Sequence, residues 1–444
     1  MSIKRYAIVG LGSRAAFYYN AITRDFKKSA ELVAFVDVNQ TRMNVANKRL
    51  ADLGAGPIKT YKAEDFDLMV KEMKPDFVIV TTIDRVHHKY ICRAMELGCN
   101  AITEKPMTID EFKCQEIVDT IKRTGRELRV TFNYRYAPHN TKVRELIMED
   151  TIGQVTSVHF EWLLNTTHGG DFFRRWHRDQ RNSGGLLVHK STHHFDLVNF
   201  WLGTKPETVF AFGGLTFYGR ANAEGRGVTQ FYTRAHGSEA AKNDPFAIHL
   251  EESKALKELY LDAEHEDGYH RDQSVFGDGI SIDDTAGVIV RYANKAIMTY
   301  STYAYAPYEG FRVNFNGTKG RIEMVVIEEQ YNPGGDIGPD GRKKATSHVF
   351  GGAAENEESL VAGTSVRVLP MFGKPYDVEI QKGEGGHGGG DPLILNDVLG
   401  GRKPDRFNRA ASHVDGAMSI LTAVAANNSC RTGEPVRIAD LVKF

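Results

Sequence analysis

Short apolar runs and stretches of helical pattern take turns along the first third of the chain. Residues 6–9 (YAIV) form a compact apolar run of β character, followed at once by Gly10-Leu11-Gly12-Ser13-Arg14-Ala15 and by a helical pattern over 16–26. A second apolar run over 32–36 ends at Asp37, and a third over 77–81 follows a helical stretch over 64–73. Residues 100–103 and 128–132 add two strand candidates, each behind a helical segment. Strands alternating with helices predict a parallel sheet with right-handed crossovers. After Gly203 the pattern changes. Residues 209–217, 286–292, 296–303 and 311–315 read as strands, and Asn316-Gly317-Thr318-Lys319-Gly320 as a hairpin turn before a last strand over 321–326.

Composition narrows the class. The 444 residues carry 56 Lys+Arg against 57 Asp+Glu, a net charge of −1, with 41% hydrophobic and 25% charged residues. These proportions fit a soluble globular chain of about two or three domains and exclude a disordered or fibrous one. With its basic residues dispersed, the chain offers no field for a polyanion, so nucleic acid is not an expected partner. No run approaches the ~20 apolar residues needed to cross a bilayer. The start MSIKRYAIVGLG lacks the apolar core and cleavage site of a secretory signal. The expected location is the cytoplasm, with no membrane partner. Cys92, Cys99, Cys114 and Cys430 include no CxxC pair and read as reduced, inert thiols.

The glycine turn is the first chemical signal. G-x-G-x-x-A between a strand and a helix, with an acidic residue ending the next strand, is the pattern of a Rossmann dinucleotide site. Gly10 permits the turn, Gly12 lets the backbone approach a pyrophosphate, and Ala15 keeps the helix close to the sheet. The helix N-terminus then turns free N–H groups toward the phosphates, with Ser13 and Arg14 beside them. Asp37, a little beyond the usual ~20-residue spacing, is expected on the adenosine ribose hydroxyls, where its charge would repel a 2′-phosphate and favour NAD over NADP. Thr81, Glu104 and Lys105 end later strands and complete the expected cofactor-binding set. Glu104-Lys105-Pro106 puts a lysine beyond the carboxyl end of a strand, where nicotinamide and substrate would meet. An exposed loop lysine is the alternative, and Pro106 is a candidate for a cis peptide bond.

Gly184-Gly185 opens a second constellation, read as one helix ended by Gly203. His189, His193 and Asp196 would share one of its faces, and Lys190, His194 and Trp201 another. Four titratable side chains within six residues make a poor core face. Solvated or capped histidines are one alternative. A metal pair is another, but no H-E-x-x-H frame or third ligand accompanies it, and no metal is expected.

Taken together, GLGSRA, Asp37, EKP at 104–106, FNYRYAP at 132–138, the histidine-bearing helix and GHGGGD near the C-terminus resemble the glucose-fructose oxidoreductase, inositol dehydrogenase and rhizopine-catabolism family, Gfo/Idh/MocA. The resemblance implies an α/β chain. A Rossmann domain would occupy 1–133, and an α+β domain with an open, mostly antiparallel sheet 134–444, with insertions near 218–281 and 330–385. The family's EKP lysine orients the substrate hydroxyl, and an Asp-x-x-x-His pair supplies acid and base. Lys105 matches the lysine and His193 the histidine, but His189 stands where the family has Asp, with Lys190 beside it. The catalytic group implied is therefore Lys105, His189, Lys190 and His193, with Arg135, His194 and His387 on the substrate.

The implied activity is NAD-dependent hydride transfer at a secondary hydroxyl of a sugar, a glycoside (C3 of a pyranoside being favoured) or a cyclitol. Two other readings stay open: a redox-neutral glycosidase using tightly held NAD, and a non-catalytic NAD sensor. The insertions read as lids or contacts of a homo-oligomer formed through the C-terminal sheet. Tyr303, Tyr305 and Tyr308 read as packing residues, with sugar stacking as the alternative. Asp391 reads as the N-cap of a helix over 392–399, and 412–427 as a last helix packed on the second domain.

Overall fold

The structure is a computed structural model, and it describes residues 3–329, 363–383 and 386–444. Most of the expected insertion at 330–385 lies outside the described residues, as does Gly385 just before the GHGGGD turn.

Six parallel strands form the first sheet: β1 (Lys4–Val9), β2 (Ala30–Asp37), β3 (Lys59–Lys62), β4 (Phe77–Val80), β5 (Asn100–Thr103) and β6 (Leu128–Val130). Their order is β3-β2-β1-β4-β5-β6, that of a dinucleotide-binding fold, with its crevice where the order reverses between β1 and β4. The β4 run Phe77–Val80 is buried throughout, as expected of a strand covered on both faces. Helices Ala15–Arg24, Gln40–Asp52, His87–Glu96 and Glu111–Thr124 supply the crossovers.

The second sheet has nine strands, adding β7 (Val155–Asn165), β8 (Pro206–Gly214), β9 (Thr285–Tyr292), β10 (Ile297–Ala306), β11 (Glu309–Gly317), β12 (Gly320–Glu329), β13 (Gly363–Pro370), β14 (Tyr376–Val378) and β15 (Val436–Arg437). The order is β14-β13-β12-β11-β7-β10-β9-β8-β15, antiparallel apart from the β7–β10 pair. Strand β7, in the middle of this sheet, carries a period-2 pattern of its own over 158–162: Val158, Phe160 and Trp162 are buried while His159 and Glu161 are exposed. The expected strands omitted both β7 and β3, although that alternation was legible.

One face of the sheet is covered by helix Thr192–Leu202 and by the last helix, His413–Thr432, capped by a reciprocal Ser412–Asp415 box. The other leaves Phe212, Ile289 and Ile297 exposed. Tyr305 stacks on Phe217 at 4.5 Å within this half, and neither it, Tyr303 nor Tyr308 lines the cleft described below. Cys92, Cys99 and Cys114 are buried and free, their thiols pushed up to about 11, 11 and 12 by burial. Among the described residues, no helix is long and apolar enough to cross a membrane.

Candidate active site

A cavity of about 900 Å³ runs from the glycine turn to the histidine-bearing helices. Of the residues singled out by sequence, Gly10, Gly12, Ser13, Arg14, Asp37, Thr81, Glu104, Lys105, His189, Lys190, His193 and His387 all line it. Ala15, Arg135 and His194 do not.

At one end the residues fit a dinucleotide. Gly10 has φ of +90°, and a Cβ there would stand 2.6 Å from the Thr82 nitrogen, so the β1 turn passes β4 at a distance only glycine allows. A Cβ on Gly12 would meet nothing nearer than the Tyr260 hydroxyl at 3.9 Å, which leaves its backbone open to the cavity. Ala15 is fully buried at the start of its helix, in the packing role expected of it. The Asp37 carboxylate accepts from the Leu11 and Asn39 amides at 2.5 and 2.8 Å. Burial raises its pKa, while those bonds and Arg42 oppose the rise. Thr81 ties its hydroxyl to the Gly10 carbonyl at 2.6 Å.

Arg14 differs from expectation. Its guanidinium turns back from the turn to bond Glu104 at 2.6 Å and stacks on Phe17, because the buried Glu104 carboxylate needs a counter-charge. Glu104 also accepts from Tyr18 at 2.7 Å. Burial raises the Glu104 carboxyl, but Arg14 and these bonds outweigh it and hold the group below the usual range.

The insertion over 218–281 closes this end. Segment Lys257–Leu261 carries Tyr260, whose hydroxyl donates to Ser13 Oγ at 3.1 Å and accepts from the Ser13 amide at 3.3 Å. Asp267 pairs with Arg42 at 2.6 Å, and Glu266 accepts from the Gln40 and Thr41 amides at 2.7 Å each, at the start of helix Gln40–Asp52. Val45, Leu250, Leu256, Leu259 and Tyr260 form a small apolar cluster beneath. A charged piece was legible at 251–262, but its docking partner was not.

At the other end Lys105, after β5 and before a cis peptide bond to Pro106, donates to the His189 carbonyl at 3.0 Å. Burial, reinforced by Lys190, pushes its ammonium down to about 7 against the pull of Asp84 and Glu104. The expected single helix is two, Leu186–His189 and Thr192–Leu202, which meet at Lys190 and Ser191. The break separates the expected faces. His189 turns to Asp84, 2.5 Å from its Nδ1, whereas His193 sits edge-on to Tyr134 at 4.7 Å and 5.8 Å from the His387 ring. Both His193 nitrogens are buried without a hydrogen-bond partner among the described residues. Burial first, then Lys105 and Lys190, hold His189 and His193 well below the ordinary imidazole range. Lys190, also lowered by burial, lies 4.7 Å over the Trp162 ring.

Two expected substrate residues turn away from the cavity. Arg135 lies in the tight turn Asn133–Tyr136, which aims its guanidinium at Asp196 in two bonds of 2.7 and 2.6 Å and at Asp415 at 3.0 Å. His194 is fixed by Tyr300 at 2.8 Å and packed on Trp162. Both serve the core beneath the site. His387 does reach the cavity, in a left-handed conformation with φ of 53°. Asp391 spends its carboxylate on Asn133 at 2.6 Å and His387 at 3.1 Å. This turn can approach because a Cβ on Gly390 would lie 2.2 Å from the Asn133 carbonyl, a space no other residue fits.

Asp84, His168, Asp171, Arg175 and His177, outside the motifs singled out above, also line the cavity. Asp171 carries Arg271 at 2.7 Å and Arg175 at 3.0 Å, and His168 bonds Glu309 at 2.5 Å. The dense THGGDFFRRWHRD stretch at 167–179 was the available signal. Among the described residues, no group of three or more His, Cys, Asp or Glu could hold a metal ion.

The chain matches two descriptions of the GFO_IDH_MocA oxidoreductase family, the NAD-binding Rossmann fold over residues 4–132 and the C-terminal alpha/beta domain over 144–438. It is 34% identical over 452 residues to YteT of Bacillus subtilis (strain 168), named as an oxidoreductase, covering 100% of this chain and 99% of that one. It is 28% identical over 205 residues to the D-glucoside 3-dehydrogenase of Escherichia coli (strain K12), covering 45% of this chain and 54% of the relative. An Agrobacterium radiobacter oxidoreductase solved with NAD+, L-tartaric acid and magnesium shares the fold, with a TM-score of 0.62, 14% identity, and coverage of 99% of this chain and 100% of that one.

Proposed function

The chain belongs to the Gfo/Idh/MocA oxidoreductase family, related to sugar and inositol dehydrogenases, and we propose that it transfers hydride between NAD and a secondary hydroxyl of a sugar, glycoside or cyclitol. One observation carries this reading: Lys105, from the half that bears Gly10, Gly12 and Asp37, shares a single cavity with His189, Lys190 and His193 from the other half. The nicotinamide, when bound, accepts or returns the hydride. The chain's own residues bind the sugar and handle its hydroxyl proton.

His193, neutral and without a hydrogen-bond partner among the described residues, is placed to accept that proton. Lys105 donates to the hydroxyl oxygen as negative charge develops on it, its ammonium already held in place by the His189 carbonyl. His189, Lys190 and His387 offer further hydrogen bonds for a polyol. Likeness to the D-glucoside 3-dehydrogenase favours C3 of a pyranoside.

One feature favours a second reading, a redox-neutral glycosidase with captive NAD: the insertion strapped over the glycine turn through Tyr260 and Asp267. Purified protein with NAD is to be screened against methyl glycosides, inositols and aldoses. Net NADH supports the dehydrogenase, cleavage of the glycoside without net NADH supports the glycosidase, and tight NAD binding with neither supports the sensor. On the same reading the protein works in the cytoplasm as a homo-oligomer. The outer face of the nine-stranded sheet, where Phe212 is 68% exposed, is the contact surface.

A further inference from the structure

His189 stands where the family pattern has a carboxylate, and the structure puts a carboxylate against it from across the cleft. Asp84 follows β4 in the turn Asp84–Val86, on the glycine-turn side, while His189 ends helix Leu186–His189 on the other. Asp84 Oδ2 lies 2.5 Å from His189 Nδ1, with side chains 4% and 13% exposed. The same histidine accepts the 3.0 Å bond from Lys105 at its main-chain carbonyl. Side chain and backbone of one residue thus join Asp84 to the lysine.

We propose that Asp84 is a positioning residue for this cluster: it accepts the Nδ1 proton of His189, fixes the tautomer whose Nε2 accepts from a substrate hydroxyl, and pins the carbonyl that holds Lys105. The inference rests on the dehydrogenase reading for its consequence in turnover, but its geometry is measurable without turnover. A carboxylate can only accept, so an imidazole nitrogen facing it carries the proton and the other nitrogen keeps the lone pair. An exposed ring would exchange between tautomers, whereas this one is held in a wall of the cavity.

Charge supports the arrangement. Around His189 stand Lys105, Arg175, Lys190, His87 and His177, the last with its ring 4.1 Å away. Burial raises the Asp84 carboxyl well above the usual range, and Lys105 and Arg175 act against that rise; in the proposed arrangement Asp84 is the ionised, compensating carboxylate among these cations. Around Lys105 stand Lys190 and Arg14 against Asp84 and Glu104. Removing the Asp84 charge therefore leaves Lys105 easier to deprotonate.

The test compares Asp84→Asn and Asp84→Glu with the unmodified chain. The first readout is histidine 15N NMR without substrate, with His189→Gln assigning the signal. The expected wild-type spectrum has His189 protonated at Nδ1, and Asp84→Asn loses that signature while Asp84→Glu keeps it. The second readout is the pH profile of kcat on whichever panel sugar turns over. Asp84→Asn is expected to lower kcat by about 10-fold or more, the scale of losing one positioned acid–base element, with NAD affinity within about 2-fold. Its alkaline limb moves to lower pH, and Asp84→Glu recovers that limb. A wild-type His189 unprotonated at Nδ1, or an Asp84→Asn variant whose NMR signature and limb match wild type, overturns the proposal. Loss of stability with neither readout moved overturns it too, as a purely structural role. Should no sugar turn over, the dehydrogenase reading fails and the NMR signature alone decides the Asp84–His189 assignment.

Discussion

Lys105 reaches across the cleft to the backbone of His189, its Nζ 3.0 Å from the carbonyl oxygen. This contact joins the end of β5 to the histidine-bearing segment and leaves the half-buried ammonium in the wall of the cavity. Lys105→Ala and His193→Ala are each expected to lose ~10²-fold or more in turnover with NAD affinity kept, the range for a positioned acid–base group. Because Lys105 stabilises the developing negative charge as an ammonium and is pushed down to about 7, kcat for oxidation falls as pH rises through about 7. Lys105→Arg stays protonated and, where it retains activity, moves that limb upward. Steady-state kinetics across pH checks both; near-normal turnover in either alanine variant removes that residue from the chemistry.

On the proposed reading Asp37 selects the cofactor. Its carboxylate, held by two backbone amides, lines the glycine-turn end of the cavity, and like charge beside a 2′-phosphate would favour NAD. Calorimetry should give tighter NAD than NADP binding, and Asp37→Ser should narrow the gap. Equal or tighter NADP binding by the unmodified chain refutes the assignment.

Arg135 belongs to stability. Arg135→Ala leaves Asp196, 1% exposed, without its partner, and breaking a buried pair costs about 3–5 kcal/mol. Denaturant unfolding should show that loss, whereas KM for a sugar should be little changed in protein that remains folded. A variant with normal stability and a raised KM would return Arg135 to the substrate site.

Tyr260 holds the insertion on the glycine turn. Tyr260→Phe removes its hydrogen bond to Ser13 Oγ, worth about 1 kcal/mol, so NAD release measured by stopped-flow fluorescence should speed up by about 5-fold. An unchanged release rate would mean that the strap opens independently of this contact.

Metal should be dispensable. The histidines point to different partners, His189 to Asp84 and His194 to Tyr300, and a stable site needs convergent ligands with outer support. Turnover is expected to survive extended chelation, with no stoichiometric metal by elemental analysis. A tightly held equivalent of zinc or manganese whose removal abolishes turnover and whose return restores it would move His189 into coordination.

What the chain order determines by itself is local and periodic. The β1 run, the glycine turn, Asp37 at the end of β2 and Lys105 after β5 are each legible within a few residues, because strand burial, positive φ and position at a strand end leave marks in adjacent letters. Tertiary structure alone decided the pairings. Arg135 and His194 carry the same chemistry as Lys105 and His193, and only the turn at Asn133–Tyr136 and the break at Lys190 and Ser191 send one pair into the core and the other into the cavity. Asp84 meets His189, and Tyr260 meets Ser13, across long sequence separations. Side-chain identity states what a group can donate or accept, but its partner depends on which backbone segments are packed face to face, and that is a property of the whole fold.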